Sequence, residues 1–204
     1  EKLNLALHEN YMFMYHSQLK YICNIIENGD IGEVREYKIN FGFPRRSSND
    51  FRYNSKLGGG ALLDCGGYTI KLASILLGKG ATIIGSALNY ENNIDLCGTV
   101  IMKNDKNIFA QLSFGMDNSY KCSLEVWGSK GTIFTNRIFT APVELKPEVL
   151  ITKDNKVKKI ILDADNQFLN SIMHFEKCII NDICRKENYI EIIKQQQFVK
   201  NVRR

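Results

Sequence analysis

Proline is scarce: 3 in 204 residues, too few for a linker-rich or collagen-like chain. The 6 cysteines (Cys23, Cys65, Cys97, Cys122, Cys178 and Cys184) include no C-x-x-C pair. A finger or ribbon zinc site takes two ligands from one turn, so that class is not expected, and scattered cysteines read as reduced core residues of a cytoplasmic protein. The first fifteen residues carry Glu1, His8, Glu9 and Asn10 and lack the apolar stretch of a signal peptide. Uninterrupted apolar runs are short, so no transmembrane span and no membrane partner are expected. No internal repeat, low-complexity tract or interdomain linker stands out.

What is there suits one large domain or two small ones. Hydrophobic residues make up 44% and charged residues 24%, a mix that buries a core and excludes disorder as the main description. The net charge is only +5, and the excess is local. Pro44 to Lys56 holds Arg45, Arg46, Arg52 and Lys56 against Asp50, and Cys184 to Arg204 is a second basic stretch that reads as a solvated helix face. A nucleic-acid binder clusters cations with exposed aromatics on one face. Tyr120-Lys121 and Phe139 near Arg137 are thin support, so no nucleic-acid partner is expected.

Periodicity gives the elements. Leu3 to Leu7 reads as a short strand, Met14 to Glu27 as an amphipathic helix, and Val34 to Phe43 as an alternating strand. A polar loop, Arg45 to Lys56, leads to a helix from Ala61 to Leu77. Strands follow at 82–90, 96–102, 108–114, 120–127, 132–135, 149–152 and 157–162, then helices at 166–183 and 189–202. Consecutive strands joined by short turns predict an α+β fold: a predominantly antiparallel open sheet with helices covering one face. Trp127, Phe109, Leu112 and Phe114 lie on these strands, which makes a homodimer or homotetramer through the open face plausible.

The segment richest in chemistry is Leu57-Gly58-Gly59-Gly60-Ala61-Leu62-Leu63-Asp64-Cys65-Gly66-Gly67-Tyr68-Thr69-Ile70-Lys71. Glycines such as Gly59 and Gly60 at a helix start let an anion or polar ligand atom approach the first-turn N–H donors. It is not a dinucleotide fingerprint, because Leu63 stands where the third glycine belongs and no hydrophobic strand precedes it. Asp64, Tyr68 and Lys71 fall at i, i+4 and i+7 on an otherwise apolar helix, a polar stripe suited to a cleft. A neighbouring cation would lower the tyrosine pKa from about 10, and a carboxylate would orient or oppose it. A surface tyrosine bonded within its own helix is the bland alternative.

These residues resemble the Gfo/Idh/MocA family (glucose-fructose oxidoreductase/inositol dehydrogenase). The likeness runs through His8-Glu9-Asn10-Tyr11-Met12-Phe13, Asn28-Gly29-Asp30-Ile31-Gly32-Glu33-Val34, Arg52, the Leu57 to Tyr68 segment and Trp127-Gly128-Ser129-Lys130-Gly131. The resemblance implies an N-terminal Rossmann domain binding NAD or NADP and an α+β domain that binds substrate and forms oligomers. Residues 1–204 look like the second part, without the Rossmann domain; Glu1-Lys2-Leu3 does not match the family's Glu-Lys-Pro by context. The chain by itself is then expected to be inactive.

By the same resemblance, Tyr68 is the acid/base that shuttles the substrate hydroxyl proton and Asp64 orients substrate. His16, Arg52, Lys71, Gly59 and Gly60 are candidate substrate contacts. Lys71 could equally be a solvent-facing stem, and His16 a helix-start residue with only local bonds. His8 and His174 show no metal-ligand spacing and read as structural, and no metal is expected. Arginine forks suit phosphate or carboxylate, so Arg45, Arg46 and Arg52 hint at a nucleotide-activated sugar, although a basic solvated loop explains the first two. The leading expectation is an NAD(P)-dependent sugar or nucleotide-sugar oxidoreductase. The alternative is a stand-alone sugar-binding or assembly module without redox activity.

Overall fold

The computed structural model describes residues 3–203, so Glu1, Lys2 and Arg204 lie outside the described residues. Eight strands form one open sheet: β1 (Val34–Gly42), β2 (Thr82–Glu91), β3 (Ile94–Lys103), β4 (Phe109–Gly115), β5 (Lys121–Gly128), β6 (Gly131–Asn136), β7 (Glu148–Lys153) and β8 (Lys156–Ile161). Their order is β2-β3-β4-β1-β5-β6-β7-β8. Only β1 against β4 is parallel, with Ile39 opposite Leu112; every other neighbour is antiparallel. The family of short hairpins therefore builds outward on both sides of a central β1, which enters between β4 and β5.

Alternation decides the faces. Tyr37, Ile39 and Phe41 of β1, Ala110, Leu112 and Phe114 of β4, and Leu124 and Val126 of β5 are buried in one core with Ile22, Ile70 and Leu72 of the helices. On the other side of the same strands Phe109 and Trp127 are exposed. Leu112 and Phe114 thus belong to the helix-covered side and not to the open face on which they were expected. The edge strand β8 carries Lys156, Lys158 and Lys159, charges that oppose pairing with a further strand.

Four helices accompany the sheet: α1 (Ser17–Glu27), α2 (Gly67–Leu77), α3 (Gln167–Ile180) and α4 (Asp182–Val202); α1, α2 and α4 give side chains to the core, and α3 packs on residues 12–15 and on α4. The run Ser55–Leu77 has the length and mean hydropathy (1.3) of a membrane span, but 72% of its apolar window is buried inside the fold. The run is not one helix: a 3-10 turn and a glycine stretch lead into a π turn and the buried helix α2.

Three local expectations change. Leu3 to Leu7 is not a strand; Leu3, Leu5 and Leu7 are exposed, and Tyr189 and Asn188 of α4 bond the Leu5 and Leu7 carbonyls instead. The first helix begins at Ser17, because His16 is extended (ψ 134°) and its Nδ1 accepts the Gln18 N–H at 3.0 Å. A short 3-10 turn, Met12–Tyr15, precedes it. At the other end α3 and α4 are separated by the single extended residue Asn181, whose side chain accepts the Cys184 N–H at 2.9 Å. Residues 184–188, expected as a break, are helical for that reason.

Candidate active site

The loop before α2 folds on itself in two 3-10 turns, Phe51–Tyr53 and Ser55–Leu57, capped by the Asp50 and Asn54 side chains. It brings Gly59 so near the Arg52 carbonyl that a Cβ would sit 2.4 Å from it. Gly60 has φ +117°, a conformation L side chains rarely adopt. The helix then starts with a π turn, Leu62–Gly66, in which the Gly67 N–H reaches back to the Leu62 carbonyl.

The anion awaited at this glycine-rich start is the protein's own. Asp95 of β3, 5% exposed, accepts the Leu62 N–H on Oδ2 at 2.5 Å. Burial pushes the Asp95 carboxyl up, and the N–H bond partly offsets it. Gly59 and Gly60 therefore fit a close chain path beside Arg52 and Asp95. Sequence periodicity marks Asp95 only as a residue near a strand start, so nothing signalled this role.

Tyr68 sits half-buried in an aromatic nest. Its ring meets Tyr11 edge-on at 4.9 Å and lies 5.4 Å from Phe41, 5.8 Å from Phe139 and 6.0 Å from Phe13. Its hydroxyl faces the Met12 sulfur at 3.7 Å, a weak acceptor. Burial, and then the Asp64 carboxylate, raise the Tyr68 pKa. The cation that would have lowered it is committed elsewhere. Phe139, weighed above as a nucleic-acid contact, is wholly buried in this nest, and Arg137 stacks on Tyr120 at 4.4 Å.

Asp64 Oδ2 accepts from Arg52 Nε at 2.8 Å, and Arg52 Nη1 reaches Asp50 at 3.2 Å. The guanidinium also lies 4.6 Å from the Phe51 ring centroid. Arg52 thereby fixes Asp64 beside Tyr68, while its Nη2 makes no hydrogen bond among the described residues. Arg45 is spent on Glu91 and Asp117. Arg46 lies over Phe43 at 5.1 Å.

The polar stripe splits. Lys71 is 3% exposed and its Nζ reaches the Glu191 carboxylate of α4 at 3.4 Å, so it is neither a solvated stem nor a neighbour of Asp64. The π turn adds a residue between Asp64 and the α-helical part, which breaks the simple i, i+4, i+7 face. His16 is 3% exposed and serves as the α1 cap, 4.0 Å from Asp165; its Nε2 is buried without a partner among the described residues. Tyr11, given no role above, supports the nest: Gln195 Nε2 donates to its hydroxyl at 3.3 Å.

The sequence pattern of the GFO/IDH/MocA C-terminal domain matches residues 19–134, more than half of the chain. The chain belongs to the Gfo/Idh/MocA family. A family relative, the dTDP-3,4-didehydro-2,6-dideoxy-alpha-D-glucose 3-reductase of Actinomadura kijaniata, is 33% identical over 201 residues, covering 98% of this chain and 60% of that protein. The 3-ketoreductase KijD10 from the same organism, solved with NADP and TDP-benzene, superposes with a TM-score of 0.94 at 33% identity, over 98% of this chain and 62% of that one. An aldose-aldose oxidoreductase from Caulobacter crescentus shares the fold at a TM-score of 0.80, 16% identity, over 97% and 61% of the two chains. This Gfo/Idh/MocA chain spans between 52% and 61% of the four dTDP-sugar reductases it matches.

Proposed function

We propose that this chain is the substrate-side domain of an NADP(H)-dependent reductase that converts a keto group on a nucleotide-linked hexose to an alcohol, with Tyr68 as the proton donor. The similarity to dTDP-sugar 3-reductases supports the substrate class and the cofactor. The observation that carries the reading is the Tyr68 phenol, half-buried near Asp64, with the Met12 thioether as its hydroxyl's one hydrogen-bond partner among the described residues.

A protonated phenol is the form that ketone reduction requires. As a ketone is reduced, the oxygen gathers negative charge and Tyr68 Oη passes it a proton. The resulting phenolate is disfavoured where it forms, so it regains a proton readily. By microscopic reversibility the reverse oxidation would use the same Tyr68 Oη as its base. The NADPH nicotinamide, when bound, supplies the hydride. This chain's donor set fits the proton-supplying half of such a site: the Met12 sulfur competes weakly for the hydroxyl, which can turn to a substrate oxygen. No G-x-G-x-x-G occurs in it, so the grip on the cofactor pyrophosphate is assigned to the part of the relatives that this chain does not span. Asp64, held by Arg52, orients a sugar hydroxyl, and Arg52 Nη2 is available to an anionic oxygen.

Tyr68→Phe in the full-length protein tests this. The turnover number should fall by about 10²- to 10⁴-fold with the Michaelis constant for the keto-sugar little changed. An unchanged turnover number would remove Tyr68 from the chemistry. Assembly through the open sheet face, where Trp127 and Phe109 are exposed, belongs to the same proposal. Light scattering should give a mass of two or four chains that falls in Trp127→Glu; a monomeric wild type refutes it.

A further inference from the structure

Three metal-type donors close together in sequence, one imidazole and two thiols, meet at the α3–α4 junction. His174 and Cys178 are one turn apart on α3, and Cys184 stands in the first turn of α4. His174 Nε2 is 3.5 Å from Cys178 Sγ, which is 3.1 Å from Cys184 Sγ, and all three donor atoms lie within 4.8 Å of one another. We infer that His174, Cys178 and Cys184 form a binding site for one thiophilic divalent cation of the zinc class, separate from the Tyr68 centre.

The chemistry of the donors argues for this. Two thiolates and a neutral imidazole match a borderline-soft d¹⁰ cation, and two thiolate charges cancel its double charge in a buried place. Cys178 is fully buried and Cys184 is 8% exposed. Zinc bonds of ordinary length would hold two sulfurs about 3.7 Å apart and a sulfur and nitrogen about 3.5 Å apart. The Cys178–His174 spacing is already in place, the two sulfurs need to part by roughly half an ångström, and Cys184 Sγ and the imidazole, within 4.8 Å of each other, settle to the same S–N spacing as the cation seats.

The scaffold is braced as well. Asn181 caps the Cys184 N–H, and the Arg185 guanidinium binds the carbonyls of Cys178 and Ile179 at 3.0 Å and 2.7 Å. Asp182 matches the Arg185 charge. A cavity of about 220 Å³ touches His174 and Cys184 and supplies both an entry path and room for a fourth ligand. Glu9 lines that cavity with Oε2 buried and unpartnered among the described residues, an open acceptor for a cation-bound water. Binding releases the two thiol protons to solvent, leaving sulfur in its thiolate state with no change of oxidation level.

The test is cobalt(II) titration of the reduced, chelator-treated chain under argon, followed by zinc competition. The site should take up one cobalt per chain, give thiolate-to-cobalt charge-transfer absorption with tetrahedral ligand-field bands, and lose both to one equivalent of zinc. Cys184→Ser and His174→Gln should each weaken cobalt binding by about a hundredfold or more. His174 is half-buried, so its variant should keep the wild-type circular dichroism even where a cysteine variant misfolds. A folded, reduced wild type with no such absorption overturns the inference, as does absorption that survives in a folded variant. So does recovery of a Cys178–Cys184 disulfide whose reduction still yields no cobalt uptake.

Discussion

Asp95→Ala and Asp95→Asn separate the hydrogen bond at the start of the Tyr68 helix from the charge that makes it. Leu62 is fully buried, and its N–H is directed at Asp95 Oδ2 at 2.5 Å. Alanine leaves that donor without its partner, a loss of about 1–3 kcal/mol, and adds a small void, so a total near 2–3 kcal/mol is expected. For a domain of this size each kcal/mol moves the melting temperature by about 2–4 °C, which places Asp95→Ala roughly 4–12 °C below wild type. Asparagine keeps a carbonyl acceptor and removes a charge that burial opposes, so its loss should stay under about 1 kcal/mol.

The pH dependence has a definite sign. The folded pKa of Asp95 is raised, so the stability it contributes is complete below the ordinary carboxylate value and is lost as pH rises through the folded value. The balance between wild type and Asp95→Asn must therefore shift toward asparagine as pH rises through that range. Urea melts followed by circular dichroism measure both effects. An alanine variant within about 0.5 kcal/mol of wild type would mean that water satisfies the Leu62 N–H, and the account of the glycine-rich turn would fail.

Two further outcomes follow from the same geometry. Arg52→Lys keeps the charge but not the fork that spans Asp64 and Asp50, so in the full-length enzyme it should lower kcat/KM by about tenfold with little loss of stability. Wild-type kinetics in that variant would show that Asp64 needs no such holder. His16→Ala should cost about 0.5–2 kcal/mol and His16→Asn much less, since asparagine can also accept the Gln18 N–H. Burial lowers the His16 pKa, so its contribution is present above about pH 6.5 and falls as pH drops through the folded value. Equal melts of the two variants across that window would count against the capping role.

Much of the fold was legible because it rests on local pattern. The alternation of Val34 to Phe43 and the closely spaced strand patterns between residues 82 and 162 marked strands that the sheet contains. The glycine segment marked the helix bearing Tyr68 for the same reason. The errors arise where a nonlocal partner decides. Leu3 to Leu7 alternates like a strand, but side chains of α4 take its Leu5 and Leu7 carbonyls. Lys71 shares a spacing with Tyr68 but is drawn to Glu191, more than a hundred residues away in sequence.

By itself, then, the sequence determined the sheet-and-helix sequence, the apolar core positions and the family motif around Asp64 and Tyr68, because each depends on residues a few positions apart. Only the tertiary structure decided which partner each polar group takes. It placed Asp95 at the helix start, tied Arg52 to Asp64, enclosed Tyr68 in aromatics so that its proton is retained, and gathered His174, Cys178 and Cys184 across a one-residue break. Those pairings rest on burial and on distances across the fold, which spacing along the chain does not carry.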